Sequence, residues 1–124
     1  MPLTEIVFYA GADGTAPVLE WLAEVGKRDR RALAKCYVKI GRLAAFGHEM
    51  RRPEADYLRD GIYELRIRFG SVNYRILYFH FGDVACVLTH GLTKQDKVPD
   101  GDIEIACERR AEFLRDPKGH THHD

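Results

Sequence analysis

Three apolar stretches joined by two-residue turns constrain the fold of this chain more than any other feature. They occupy residues 63–69, 72–81 and 84–92, and the connections Gly70-Ser71 and Gly82-Asp83 are of the hairpin type. A connection this short joins antiparallel neighbours, because a parallel crossover needs a dozen residues or more. The sequence therefore predicts three consecutive antiparallel strands, with the middle one apolar on both faces and central.

The residues before these strands predict one further strand and a helical hairpin. Residues 3–10 form an apolar run that ends at a glycine-rich turn, as a strand would. Pro17 lies in the first turn of a helix that ends at Gly26, and an amphipathic helix follows over residues 30–46. Residues 47–60 contain Pro53 and predict a loop with at most a short extended piece.

The residues after the strands predict a last helix. Acidic residues follow Pro99, where carboxylates favour the positive end of a helix dipole, and Asp116-Pro117 ends the helix. Residues 116–124 are expected to form a flexible tail. The predicted fold is a single α+β domain, residues 1–124, in the order β-α-α-β-β-β-α. Its antiparallel sheet has about four strands, with the first at an edge and the helices on one face.

Composition excludes several classes of protein. With 45% hydrophobic and 31% charged residues, the sequence is ordinary for a globular domain, and no apolar run approaches the ~20 residues of a membrane span. The N-terminus lacks the features of a secretory signal, so we expect a cytoplasmic protein without a membrane partner. Cys36, Cys86 and Cys107 each lie in an apolar pattern, which favours buried free thiols. We expect no metal ion or other cofactor.

The charges are distributed unevenly, although the formal net charge is zero. Residues 27–52 hold nine Lys and Arg against two acids, whereas residues 1–26 hold four acids and no base. Within this basic region, Lys35, Lys39 and Arg42 lie beside the apolar stripe of the predicted second helix. A neutral total can thus include a basic face that attracts a polyanion.

Arginine recurs inside the predicted strands. Arg66 and Arg68 alternate with apolar residues in one strand, and Arg75 lies in the next. Each of these arginines occupies a position that could pack, so three on adjacent strands predict an anion site on the sheet. Tyr74 and Tyr78 are an odd number of residues away from Arg75, and we expect them on the opposite face, in the core.

Four short motifs follow one another along the chain. They are YELR at 63–66, YRILY at 74–78, LTHGLTKQDKVP at 88–99 and IEIA at 103–106. A strand ending at Tyr9 and a Pro-Val pair at the start of the helical hairpin precede them. This order resembles the HigB-like, phage-derived branch of the RelE/ParE toxin superfamily, and the resemblance covers residues 3–115.

The resemblance implies the toxin half of a type II toxin–antitoxin pair. Such a toxin is an endoribonuclease that cleaves mRNA, typically on the translating ribosome. It also implies a partner antitoxin with a helix-turn-helix domain, so that DNA would be bound only indirectly, through the antitoxin.

Metal-free RNA cleavage needs a base for the 2′-hydroxyl, positive charge at a phosphorane-like transition state and an acid for the leaving oxygen. Given the resemblance, Arg66 and Arg75 are candidates to stabilise the phosphate, because a guanidinium binds phosphate oxygens in pairs and keeps its charge. His90 is a candidate acid or base, since its ordinary pKa is ~6.5. Lys94 is the fourth catalytic candidate. Glu64 could act as a base or hold Arg66 in place, and both roles stay open.

Further basic residues are predicted to bind RNA. They are Arg68, Lys97, Lys35, Lys39 and Arg42. Two other functions are consistent with the same fold: a ParE-like toxin that inhibits DNA gyrase by binding, and a weakened toxin that only binds its antitoxin. The combination of His90 and Lys94 favours the nuclease.

Overall fold

The structure, a computed structural model, describes residues 3–93 and 96–123. The helices over these residues are α1 (Pro17–Arg28), α2 (Arg30–Phe46) and α3 (Asp100–Arg115). The strands are β1 (Glu5–Phe8), β2 (Ala55–Arg59), β3 (Ile62–Phe69), β4 (Val72–Phe81) and β5 (Ala85–Thr93). Single 3₁₀ turns follow α2 at Gly47–Glu49 and α3 at Lys118–His120.

The strands form one sheet in the order β1-β5-β4-β3-β2. β3 to β5 are antiparallel, as the two-residue turns predict, β2 adds antiparallel to the other side of β3, and β1 adds to the edge of β5 in parallel. The α+β class, the central position of β4 and the edge position of β1 are therefore confirmed. The sheet has five strands rather than about four, and it is mixed rather than purely antiparallel.

The additional strand, β2, lies in the segment for which the sequence predicts mainly a loop. It pairs with β3 from Ala55–Leu65 to Arg59–Ile62, with an irregularity after Tyr57. Its residues ADYLR show little alternation because an edge strand needs few buried side chains. The backbone N–H of Arg66 donates to Glu54 O at 2.7 Å, and the β2 pairing ends there. Beyond that point β3 forms the edge of the sheet.

The helical hairpin depends on Asp29 and Gly26. The Asp29 carboxylate caps α2 by accepting from the backbone N–H groups of Arg31 at 3.0 Å and Ala32 at 3.2 Å, and α2 has the predicted bounds. The prediction that Gly26 ends α1 is wrong, since α1 continues to Arg28. A Cβ at Gly26 would lie 2.7 Å from Leu33 Cδ2, so this glycine lets the two helices approach closely.

Helices cover both faces of the sheet, and the prediction that they lie on one face is wrong. Apolar residues of the hairpin pack on one face: Val18, Leu22, Cys36 and Leu43 against Leu65, Ile67, Ile76, Tyr74 and Tyr78. Apolar residues of α3 pack on the other: Ile103, Ala106 and Phe113 against Ile62, Leu77, Phe79 and Val87. A strand that is apolar on both faces, such as β4, needs cover on both. Tyr74 and Tyr78 belong to the core, as predicted.

The segment expected to be a flexible tail contacts the first strand and the residues after it. Thr121 forms a β-bridge with Tyr9, and the backbone N–H of His122 donates to Phe8 O at 2.8 Å. The His120 ring stacks on Tyr9, and its Nδ1 lies 2.8 Å from Ala10 O. These contacts lie along the free edge of β1 and partly cover it.

The cysteines are free thiols, as predicted. Cys36 and Cys86 are buried, and burial raises their pKa values to about 11 and about 12, so neither is a thiolate near neutral pH. Cys107 is partly buried, and burial raises its pKa as well. Among the helices described, none is long and apolar enough to cross a membrane.

Candidate functional site

A buried carboxylate holds two of the predicted arginines on one face of the sheet. Glu64 is only 4% exposed. Its Oε1 accepts from Arg75 Nε at 2.8 Å and lies 3.2 Å from Arg66 Nε. Arg66 NH2 also donates to Glu64 Oε2 at 3.4 Å and to Asp56 Oδ2 at 3.3 Å. The two guanidinium groups are thus fixed side by side.

Strand register explains this arrangement. Arg66 lies opposite Arg75 across the β3–β4 pair, and Glu64 lies opposite Leu77 in the next row. Residues two apart in a strand point to the same face, so Glu64, Arg66 and Arg75 share the face that α3 covers further along. Two like charges directly opposite each other repel, and the carboxylate between them offsets that repulsion.

A cleft of 310 Å³ opens at the edge of β3 beyond the end of β2. We call it the arginine cleft, because basic residues from α2 and the strands line it together with Glu54 and Tyr74. The basic lining residues are Lys35, Lys39, Arg66, Arg68 and Arg75. The structure therefore brings two of the predicted catalytic residues and three of the predicted RNA-binding residues into one concave site.

The basic side of α2 is partly neutralised by Glu54. Its carboxylate accepts from Lys39 Nζ at 2.9 Å and from Arg42 NH2 at 2.7 Å, and these cations lower its pKa to about 2, mainly through Arg42. The Lys35 Nζ donates to the backbone carbonyl of Arg68. Lys35 and Lys39 still line the arginine cleft, whereas Arg42 is not among its lining residues within the described chain.

His90 lies on the same face of the sheet but under the first turn of α3. It is 8% exposed, with Nε2 3.2 Å from Asp102 Oδ1 and Nδ1 3.2 Å from Thr89 Oγ1. Since an ionised carboxylate only accepts, Nε2 carries the proton. Burial and the nearby Arg109 lower the pKa of His90, while Asp102 opposes the shift. The ring is therefore neutral near pH 7 and connects β5 to α3.

His90 is separated from the arginines by one step of the register. It lies opposite Leu77, whereas Arg75 lies opposite Leu92, so the Cα atoms of His90 and Arg75 are diagonal neighbours about 7–8 Å apart. His90 is not one of the described residues that line the arginine cleft.

The two predicted lysines of the connection between β5 and α3 are not both described. Lys97 is exposed and lines a separate cleft beside Glu64 at the start of α3. Lys94 lies outside the described residues, so its role as a catalytic candidate stays a prediction.

Three acidic residues that shape the site were missed by sequence reasoning: Glu54, Asp56 and Asp102. Glu54 and Asp56 lie in the segment predicted as a loop, where no periodicity indicated which side chains they face. Asp102 was assigned only to the dipole of α3. The one local signal for the contact between Asp102 and His90 was their order in the sequence. A strand that contains a histidine is followed by a helix with a carboxylate in its first turn.

No group of three or more His, Cys, Asp or Glu side chains is arranged to hold a metal ion within residues 3–93 and 96–123. The positive charge at the arginine cleft is supplied by side chains of this chain.

Comparison with protein families gives one match. The sequence model of the phage-derived Gp49-like proteins (DUF891) matches residues 20–111. This range runs from within α1 to within α3 and includes the arginine cleft, Glu64 and His90. No curated protein matches the sequence.

Proposed function

Because the chain belongs to the phage-derived Gp49-like family, a family of RelE-like toxins, we propose that it is the toxin of a type II toxin–antitoxin pair and cleaves mRNA. We assign it to the HigB-like branch on the motifs between residues 63 and 106. The proposed reaction is metal-independent and takes place on the ribosome, in the cytoplasm. The partner is an antitoxin with a helix-turn-helix domain, through which the pair contacts DNA.

The observation that carries this proposal is the arginine pair on Glu64. In the reaction, the 2′-oxygen attacks the neighbouring phosphorus while the bond to the 5′-oxygen breaks, and negative charge accumulates on the phosphoryl oxygens. Two guanidinium groups fixed beforehand stabilise that charge without reorganising. The Arg66 side chain is 39% exposed and lines the arginine cleft, so its guanidinium group can contact a phosphate oxygen there.

Glu64 acts in this proposal as a positioning residue. It is almost completely buried and already contacts both arginines, which suits orientation better than proton transfer. Arg68 and Lys35, which line the same cleft, hold the flanking phosphates of a single strand. Lys39 and Arg42 contribute less, since both are bound to Glu54.

His90 is the proposed proton-transfer residue. As a neutral imidazole it can accept a proton at Nδ1, and it lies one register step from Arg75. The first turn of α3, which carries Asp102, lies over the ring, so displacement of that turn would expose His90 to the substrate. Lys94 remains a catalytic candidate in the proposal, as a cation that could reach the substrate phosphate.

The buried position of His90 also favours a second candidate function. A histidine that is engaged on both nitrogens serves structure, and a toxin without a proton-transfer residue in its cleft acts by binding alone. In that case the arginine cleft would hold an acidic surface of DNA gyrase, as in a ParE-like toxin, or only the antitoxin.

Cell-free translation with mapping of mRNA ends tests the proposal. We expect the wild-type chain to generate new mRNA ends inside the coding region, and Arg66→Ala to reduce the cleavage rate by about 100-fold or more, as loss of a charge-stabilising donor does. Arg66 suits this test because it is partly exposed and because Glu64 and Asp56 each retain another arginine.

Arg115→Ala is the matched control, since it removes an exposed guanidinium at the far end of α3 and should leave cleavage unchanged. A parallel supercoiling assay separates the alternatives. Intact mRNA together with inhibited gyrase would contradict the nuclease proposal and support the ParE-like function. Intact mRNA with active gyrase would leave antitoxin binding as the function.

A further inference from the structure

We propose that a second cleft, beside Trp21, is a nucleobase subsite that binds the base attached to the phosphate in the arginine cleft. This inference rests on the proposed function, because it takes single-stranded RNA as the ligand. It assigns the tryptophan cleft, as we call it, to the flat face of a base and the arginine cleft to the phosphate.

The tryptophan cleft has the size and the walls of a ligand site. Its volume is 530 Å³, and Trp21, Val25, Val72 and Tyr74 form its apolar lining. Apolar walls with a few polar groups at the rim are typical of small-molecule sites. A nucleobase is flat and apolar on its faces and polar at its edge, so its surface matches this distribution.

Gly91 fixes the tryptophan ring at this position. A Cβ on Gly91 would lie 2.2 Å from Trp21 Cδ2, so the indole lies directly against the backbone of β5. Tyr74 contacts the indole edge to face, with ring centroids 6.1 Å apart. The indole is partly buried and lines the cleft, and a preorganised aromatic side chain of this kind favours stacking of a base.

The two clefts are contiguous. Tyr74 lines both of them, and the next residue, Arg75, lines the arginine cleft. The side chain of Tyr74 is therefore a wall shared by the two clefts, and the proposed nucleotide would extend across it. The chemistry of the combined surface selects the ligand class, since an apolar peptide would not match the arginine cleft and a free anion would not fill the aromatic one.

The rim of the tryptophan cleft provides polar partners for the edge of a base. Glu24 and Asp29 offer carboxylate oxygens to base N–H groups, and Arg28 offers donors to base carbonyl oxygens. Asp29 is also the cap of α2, so a base bound here would contact the turn of the helical hairpin. A bound base would therefore contact the start of α2, the same helix that carries Lys35 to the arginine cleft.

The fluorescence of Trp21 gives a direct test, because this is the single tryptophan of the chain. We expect adenosine 3′-monophosphate and a short single-stranded RNA to quench the fluorescence saturably, and inorganic phosphate to leave it unchanged. Fluorescence that stays constant while a labelled RNA demonstrably binds the full chain would overturn the subsite and leave the nuclease proposal intact.

Cleavage kinetics give an independent test. We expect Trp21→Leu to raise the KM for mRNA about tenfold, the effect of losing one stacked base, with kcat within about twofold. Thr93→Phe should raise KM similarly, since it adds bulk at an exposed position of the cleft and spares the core. Tyr37→Leu is the matched control, because it removes an exposed aromatic ring of α2 outside both clefts and should leave KM unchanged.

The two proposals can fail separately. Quenching by the mononucleotide without any mRNA cleavage would support the subsite and overturn the nuclease. Cleavage with an unchanged KM in both Trp21→Leu and Thr93→Phe would overturn the subsite alone. RNA that is neither bound nor cleaved would overturn both.

Discussion

At the scale of single residues, the positions of Arg66 and Arg75 depend on their contacts with Glu64. A carboxylate this deeply buried requires compensation, and Arg75, with 12% of its side chain exposed, is its shortest contact. Arg66 is more exposed and is shared with Asp56, so it compensates less. The contacts therefore predict different contributions to stability: Arg75 stabilises the folded chain, whereas Arg66 contributes less.

This difference predicts that Arg75→Ala destabilises the fold. We expect the free energy of unfolding to fall by about 2–4 kcal/mol, because a buried carboxylate loses its nearest cation, while Arg66→Ala lowers it by less than about 1 kcal/mol. Urea denaturation of the two variants measures both values. Loss of activity in Arg75→Ala is informative only alongside this measurement.

The double variant Glu64→Gln/Arg75→Met identifies the cause. If the loss comes from the stranded carboxylate, the double variant should be more stable than Arg75→Ala, since no buried charge remains. Equal stability of the two would show that the packing of the Arg75 side chain, and not its charge, supports the sheet.

At the scale of secondary-structure elements, the helices and strands that nearby residues specify could be predicted, and those that distant contacts specify could not. The bounds of α2 were predictable because Asp29 and the apolar spacing are local, and β4 was predictable because both of its turns are local. β2 was not predictable, because an exposed edge strand with a charged sequence is specified by its partner β3. Gly26 gave a misleading signal, since its role is the contact with Leu33.

Gly91 carries the same kind of nonlocal constraint and yields a prediction for the packing of α1 on β5. Gly91→Ala should lower the free energy of unfolding by about 1–3 kcal/mol, because the added methyl group overlaps the indole of Trp21. The same variant should shift the Trp21 emission, as the ring is displaced from the backbone. Thermal denaturation and fluorescence spectra measure both effects.

Gly101→Ala is the control for the Gly91 experiment. Gly101 is exposed in α3, and nothing lies within 4 Å of a Cβ placed there, so this substitution should be neutral or stabilising by up to about 1 kcal/mol. Equal effects at the two glycines would contradict a steric role for Gly91.

At the scale of the whole molecule, the sequence indicated which charges exist but not which of them are paired. Arg66, Arg68 and Arg75 could be placed on adjacent strands from alternation alone, and the structure brings Lys35 to the same cleft. The neutralisation of Lys39 and Arg42 by Glu54 could not be predicted, because it joins α2 to a segment without periodicity. The position of α3 on the second face was likewise fixed by tertiary packing.

This charge pairing predicts the salt dependence of RNA binding. Four cations of the arginine cleft lie outside the Glu54 cluster: Lys35, Arg66, Arg68 and Arg75. If each neutralises one phosphate of a single strand, the slope of log K against log salt is about −2.8, and affinity falls about 50-fold between about 50 and about 200 mM salt. Anisotropy of a labelled RNA oligonucleotide measures this slope.

Glu54→Gln should steepen the slope to about −4, because it releases Lys39 and Arg42 for phosphate contacts. Glu108→Gln makes the same change in net charge at an exposed position of α3 and should leave the slope near −2.8. The comparison separates the release of Lys39 and Arg42 from the change in net charge, since net charge alone would change the slope equally in both variants. Equal shifts would therefore mean that RNA is bound by the overall field of the protein, and the arginine cleft would lose its assignment as the phosphate site.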